Sequence, residues 1–188
     1  SMSNLEKINV LTKDKLDSLD LTQYPNQIFG TTDEVAEGGG SGGVEPNIIT
    51  GRLLANYTVA SSSQYYDLPL IKYNSVGTKL SINSSGGIVV GDGVSYVKVS
   101  ASCPMTWGGY SGQIIVAIRK NSELVHFVWA MVKSNDLNTL PCSLSPVVIP
   151  VTSGDAITLS AWKNEISSVI VEGHNSAPRT SLTVEVVE

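Results

Sequence analysis

The feature that most constrains this chain is a strict alternation of side-chain character over residues 95–103. Val97, Val99, Ala101 and Cys103 fall on one side, and Tyr96, Lys98, Ser100 and Ser102 on the other. A period of two is that of a strand with one face in a core. The same signature returns at 180–187, and a chain ending on a strand with almost no tail suggests that this last strand is central to its sheet. Shorter apolar runs between turn signals lie at 53–59, 65–73, 80–82, 88–90, 147–151, 157–162 and 168–172. Pro69 marks an edge or a bend in the second of these. Residues 113–119 and 124–132 flank a polar turn, Lys120 to Glu123, and read as a β-hairpin. No helical periodicity competes after residue 46. About nine or ten short strands at such spacing predict an antiparallel sandwich or barrel. No repeat supports a propeller or a β-helix.

Charge divides the chain in two. Residues 1–45 hold eight acids and three bases, whereas the other nine acids and nine bases balance over 46–188. The first part, residues 1–45, reads as a polar, acidic lead-in. A short helix is expected over 11–21 with Thr12 as its N-cap, although Ile8, Leu11, Leu16 and Leu19 fit a helical face imperfectly. Tyr24-Pro25-Asn26 breaks it, and a short extended piece follows over 27–32. Residues 38–43 (GGGSGG) form a flexible linker. They contain G-x-S-x-G, but neither the strand before nor the helix after that a nucleophile elbow requires is present. No secretory signal is expected, since the apolar run over 5–11 is interrupted by Glu6, Lys7 and Asn9.

Composition excludes several functions. The chain is 41% hydrophobic and only 15% charged, which argues against disorder and a coiled coil. A net charge of −5 argues against binding a nucleic-acid backbone. No apolar run approaches the roughly 18 residues of a membrane span, so no membrane insertion is expected. Two cysteines, Cys103 and Cys142, make no disulfide framework. Cys103 is in phase with buried positions and reads as a core thiol, with a bridge to Cys142 left open. With two histidines and no C-x-x-C pair, neither a metal nor a cofactor is expected.

Four segments carry a resemblance. Residues 93–105 (GVSYVKVSASCPM) resemble a strand of the complement-type, TNF-like globular head. Residues 114–124 (IIVAIRKNSEL) are similar to that family's hairpin, with Ser122 where the family has glycine. Residues 151–159 (VTSGDAITL) and 182–186 are similar to its Gly-Asp turn and closing strand. The aromatic residues common near that closing strand are missing. The resemblance covers about 51–188 and implies an all-β, antiparallel jelly-roll sandwich that assembles as a homotrimer. The lead-in, with YPNQIFGTTDEV and the glycine joint, resembles tailed-phage or prophage fibre and minor structural proteins. That implies a virion protein, assembled in the bacterial cytoplasm, whose N-terminal segment contacts other virion proteins. Its jelly-roll head over 46–188 would bind a host-surface ligand, a glycan.

A trimer also has a physical motive. Ile114, Val116 and Ile118 face one way, Ile115 and Ala117 the other, and a second apolar face calls for a partner. The competing reading has these strands merely central and covered by loops.

No catalytic constellation is evident, so no enzyme is expected. His126 reads as a strand-face or interface residue, His174 as an exposed turn residue, and Asp155 as a turn former. Asp92 lacks the further oxygen ligands that calcium needs. The loop over 107–112 (WGGYSG) supplies the candidate ligand-binding residues Trp107 and Tyr110, with Trp162 as a second candidate, because exposed aromatics stack on sugars and anchor contacts. The alternative for Trp107 is a core plug at the sandwich edge. The alternative function is a stand-alone secreted carbohydrate-binding module. A glycan-cleaving enzyme would need paired carboxylates on facing strands, and acids are scarce there.

Overall fold

The computed structural model describes residues 8–11, 28–31, 46–109, 111–133 and 139–187. The chain divides into two compact units, Ser1–Val44 and Glu45–Glu188. In the first, β1 (Ile8–Leu11) and β2 (Ile28–Thr31) pair in parallel, Ile8 opposite Ile28 and Leu11 opposite Thr31. Ile8 and Leu11 are thus strand residues, not the helical positions that their spacing offered. The remainder of the expected helix, with Thr12, and the linker lie outside the described residues. The extended piece expected over 27–32 contains β2.

The second unit is entirely β among the described residues. It opens with β3 (Ile48–Arg52), β4 (Tyr57–Thr58), β5 (Tyr66–Asp67) and β6 (Ile71–Val76). Then come β7 (Leu80–Ile82), β8 (Ile88–Val90), β9 (Tyr96–Ser102) and β10 (Met105–Gly108). The long hairpin is β11 (Gly112–Lys120) and β12 (Glu123–Val132), followed by β13 (Thr139–Leu140) and β14 (Ser143–Pro150). The chain closes with β15 (Ala156–Asn164), β16 (Ser168–Val171) and β17 (Ser181–Val187).

Two sheets form an antiparallel sandwich. One has the order β14-β9-β17-β3-β6, the other β12-β11-β15-β8-β7 with β5 also on β15. A smaller sheet, β13-β10-β16-β4, continues from strands of both. The alternation over 95–103 does as expected: Val97, Val99, Ala101 and Cys103 are buried, joined by Leu182 and Val184 of β17 and by Ile114, Val116 and Ile118 of β11. Strand β17 lies between β9 and β3, in the middle of its sheet.

Two local departures have clear causes. The first head strand is 48–52, not 53–59. Leu53 and Val59 are buried but Leu54 is exposed, and the Asn56 Oδ1 accepts the Gly173 N–H at 3.0 Å, holding the chain in an outward loop. Residues 65–73 are not one strand. The Leu70 N–H donates to the Leu68 carbonyl at 2.8 Å, a three-residue turn centred on Pro69 that carries the chain from one sheet to the other. Gly86 backs onto this turn with φ +88°, and a Cβ there would sit 2.3 Å from the Leu70 nitrogen.

The β11–β12 hairpin closes on Asn121 and Ser122, both at positive φ (50° and 72°), as the favoured two-residue hairpin turn requires. The register slips between Ile118 and Arg119, so that Ile118 faces His126 and Arg119 faces Leu124, leaving Val125 bulged.

Candidate functional site

Apolar side chains left exposed on a sandwich mark its contact surfaces. Among the described residues, all large ones except Leu54 fall on the outward faces of the two main sheets, because residues paired across antiparallel strands share a face.

On the five-stranded sheet, Tyr96 pairs with Pro150 and Val187. The next row outward runs Val148, Lys98, Glu185, Ile48, Val76. Lys98 and Glu185 form an ion pair within it, so the apolar end of this face carries no net charge. Val148 is 54% exposed and Tyr96 and Val76 are similar. Beyond lies a polar row in which Thr50 and Thr183 share a hydrogen bond of 2.9 Å. At the far edge the Arg52 guanidinium lies over the Tyr73 ring at 4.9 Å.

The outward face of the six-stranded sheet is more aromatic. The bulge at Val125 shifts the phase of β12, so Leu124 shares its face with Phe127, Trp129 and Met131, all exposed. Trp129 pairs with Ile115 and Ile115 with Trp162, whose ring lies 6.5 Å from that of Tyr65. The adjacent row runs Phe127, Ala117, Ser160, Asp67. The Asp67 Oδ1 accepts from Arg119 Nη1 at 3.1 Å, from Thr158 Oγ1 at 3.0 Å and from the Ser160 hydroxyl. The Arg119 guanidinium also lies over Tyr65, 5.2 Å from the ring centre, and its Nε and Nη2 donate to the Ser122 carbonyl. One carboxylate is therefore fixed at the edge of an aromatic strip, with its side chain still 37% exposed.

Of the aromatics singled out from sequence, Trp162 stands on this strip. Trp107 does not: it lies in β10 opposite Val169, 9% exposed, and its indole N–H reaches the Lys133 carbonyl at 3.5 Å. The glycines around it had the look of a loop, but residues 105–108 pair with β16 and turn the ring into the core. Tyr110 lies outside the described residues. Phe127, Trp129, Tyr65 and Tyr96 were not singled out; the signal for the first two was the apolar character of both alternating sets in 124–132.

The titratable groups assemble no catalytic unit among the described residues. Burial pushes the Cys103 and Cys142 thiols up, away from the reactive thiolate. Both are free, and the Cys103 N–H donates to the Cys142 carbonyl at 2.7 Å. Burial likewise raises Tyr57, whereas hydrogen bonds from Ser61 and Gln64 lower Tyr66. His174 Nδ1 lies 3.2 Å from the Ser176 hydroxyl, but it also accepts the Ser176 and Ala177 backbone N–H groups, so it caps a turn. His126 is half-buried on the core side of β12, opposite Ile118. Asp155 accepts from the Thr152 backbone N–H at 2.9 Å and from the Asn121 amide at 2.6 Å, and these donors hold its carboxyl below the usual range. Asp92 accepts from the Ser153 hydroxyl at 2.5 Å. No group of three or more His, Cys, Asp or Glu placed to hold a metal occurs among the described residues.

No family model and no curated protein matches the sequence. Solved structures do match. Murine APRIL, from a crystal at pH 8.5, aligns with a TM-score of 0.53 at 11% identity, covering 76% of this chain and 100% of its own. Eiger TNF from S. frugiperda aligns with a TM-score of 0.51 at 10% identity, covering 77% of this chain and 92% of its own. The head is a TNF-like jelly roll. At such identity the likeness is one of fold, and the TNF-like head's own surfaces carry the rest of the argument.

Proposed function

We propose that this chain is a structural and attachment protein of a phage or prophage virion. Its N-terminal segment joins other virion proteins, and its TNF-like head forms a homotrimer that binds a host-surface glycan. The chain is assembled in the bacterial cytoplasm and carried on the particle.

The observation that carries this reading is the outward face of the five-stranded sheet. Tyr96, Val148, Val187, Ile48 and Val76 form its apolar end around an internally neutralised Lys98–Glu185 pair. A sandwich needs only its inner faces to fold, and an apolar outer face on a closed cyclic oligomer is covered by a copy of itself. The TNF-like fold supports the same arrangement. The resemblance of the acidic lead-in and glycine joint to fibre proteins supports the place on a virion. A trimer suits attachment through avidity, since three weak sites on one head raise overall binding without a tight single contact.

The attachment half is tested by incubating the full chain with isolated bacterial cell envelopes and measuring retention after washing. Retention that free envelope polysaccharide competes away is the expected result. No retention on any envelope at tens of micromolar protein would leave only a structural role.

A further inference from the structure

We propose that the outward face of β5, β11, β12 and β15 is the glycan platform of the head, with Trp129 and Trp162 stacking on sugar rings, Tyr65 held beside Trp162 under the Arg119 guanidinium, and the Asp67 carboxylate accepting sugar hydroxyls. The inference rests on the attachment reading above and names the site and the ligand class.

Three observations lead to it. The row Trp129, Ile115, Trp162 crosses the sheet at right angles to its strands, and the Tyr65 ring lies 6.5 Å beyond Trp162, next to β5. Four strands in a row span about 14 Å, the reach of a short oligosaccharide. The face is a strip and not a cleft, which suits a chain-like ligand more than a compact one.

The second observation is chemical. A sugar ring offers an apolar C–H face and a rim of hydroxyls, and this strip offers the complement of both. Trp129 is 55% exposed and Phe127 stands beside it, giving flat apolar contact. Asp67 is oriented by Arg119, Thr158 and Ser160, so the acceptor is fixed before any ligand arrives. Gln113 and Asn164, opposite each other in the β11–β15 register, flank the strip on its other side. Planar amides donate and accept at once, as a hydroxyl does.

The third observation concerns charge. Asp67 and Arg119 neutralise each other, and no other charged side chain enters the rows of Trp129 and Phe127. The platform therefore has no electrostatic means of selecting a polyanion. The second apolar set of β11 called for a partner subunit from sequence, but Ala117 is already buried within the protomer, and a second copy on this face would take the Asp67 carboxylate, 37% exposed, out of water without a new donor in view.

The test uses the full chain on an array of bacterial surface polysaccharides, then titrates the best-retained glycan by tryptophan fluorescence. Trp129→Ala, Trp162→Ala and Asp67→Asn are titrated beside the wild type and Leu54→Ala, whose exposed loop lies off both sheet faces, with mass by light scattering and thermal unfolding measured for each. We expect at least a tenfold loss of affinity for the three platform variants, with unchanged mass and a cooperative thermal transition, and wild-type affinity for Leu54→Ala. Platform variants that bind as the wild type does would overturn the platform and leave the attachment reading standing. Platform variants that fall to monomers would show the face to be a subunit contact and overturn the platform. A trimeric wild type that retains no glycan would overturn the attachment reading and the platform with it.

Discussion

Replacing Ser122 by glycine raises the stability of the head. Ser122 is the second residue of the β11–β12 turn and sits at φ +72°, a conformation that costs an L-residue about 1–2 kcal/mol. Glycine removes that cost but gives the unfolded chain more freedom, which offsets about 0.4–1 kcal/mol. The balance is a gain of about 0.5–1 kcal/mol. For a domain of this size it lifts the thermal midpoint by about 1–4 °C. The contacts around the turn survive the change, because Arg119 donates to the backbone carbonyl of Ser122 and not to its hydroxyl. Asn121 is better left alone: its amide and carbonyl join Asp155 and the Ala156 N–H. The assay is thermal and urea denaturation at one fixed protomer concentration, since assembly makes the midpoint depend on it. Ser122→Ala is the control: it keeps the Cβ, loses the hydroxyl and shows no gain. Equal or lower stability for Ser122→Gly than for Ser122→Ala would refute the claim that the turn is strained at this residue.

Leu182→Ala, at a fully buried site of the central strand, lowers stability by about 2–5 kcal/mol. Leu54→Ala, on the exposed loop, changes it by less than about 0.5 kcal/mol; urea midpoints compare the two. Gly86→Ala destabilises by more than about 1 kcal/mol, because its φ is +88° and the new Cβ meets the Leu70 nitrogen; the same titration reads it. Asp155 gives the head an acid-side dependence. Its folded carboxyl titrates below its unfolded value, so the unfolded chain takes up the proton first and stability rises with pH in that window. The contribution is complete above the unfolded value of about 3.9 and is lost as pH falls through the folded one. Asp155→Asn removes this part of the pH profile, and a profile unchanged by the substitution would contradict the assignment.

The sandwich was legible where one physical signal sufficed. Residues 95–103 and 180–187 alternate because one face meets the core, and both lie in the structure as strands with that face buried. The hairpin was legible from two apolar runs about a polar turn. Strand β3 was not, since Thr50 and Gly51 interrupt its pattern. Ile82 and Leu70 pack tightly against Gly51, where a Cβ would lie 3.1 Å and 3.2 Å from them. Trp107 was open between a loop contact and a core plug, and the structure places it in the core. Its glycine neighbours resemble a loop locally, whereas its burial follows from pairing with residues about 60 positions later in the chain, a long-range fact that no local pattern carries. The aromatic strip was half visible. Both alternating sets of 124–132 are apolar, but a single bulge at Val125 decides that Leu124 joins Phe127, Trp129 and Met131, and bulges leave no periodic trace.

The central claim is that the head works as a trimer. The most direct measurement is the absolute mass of the full chain by light scattering after size exclusion, across a range of concentrations. The account predicts one species near three times 19.9 kDa, which Val148→Asp on the five-stranded face dissociates. A wild-type monomer at every concentration would contradict it, leaving that apolar face with no copy of the chain to cover it.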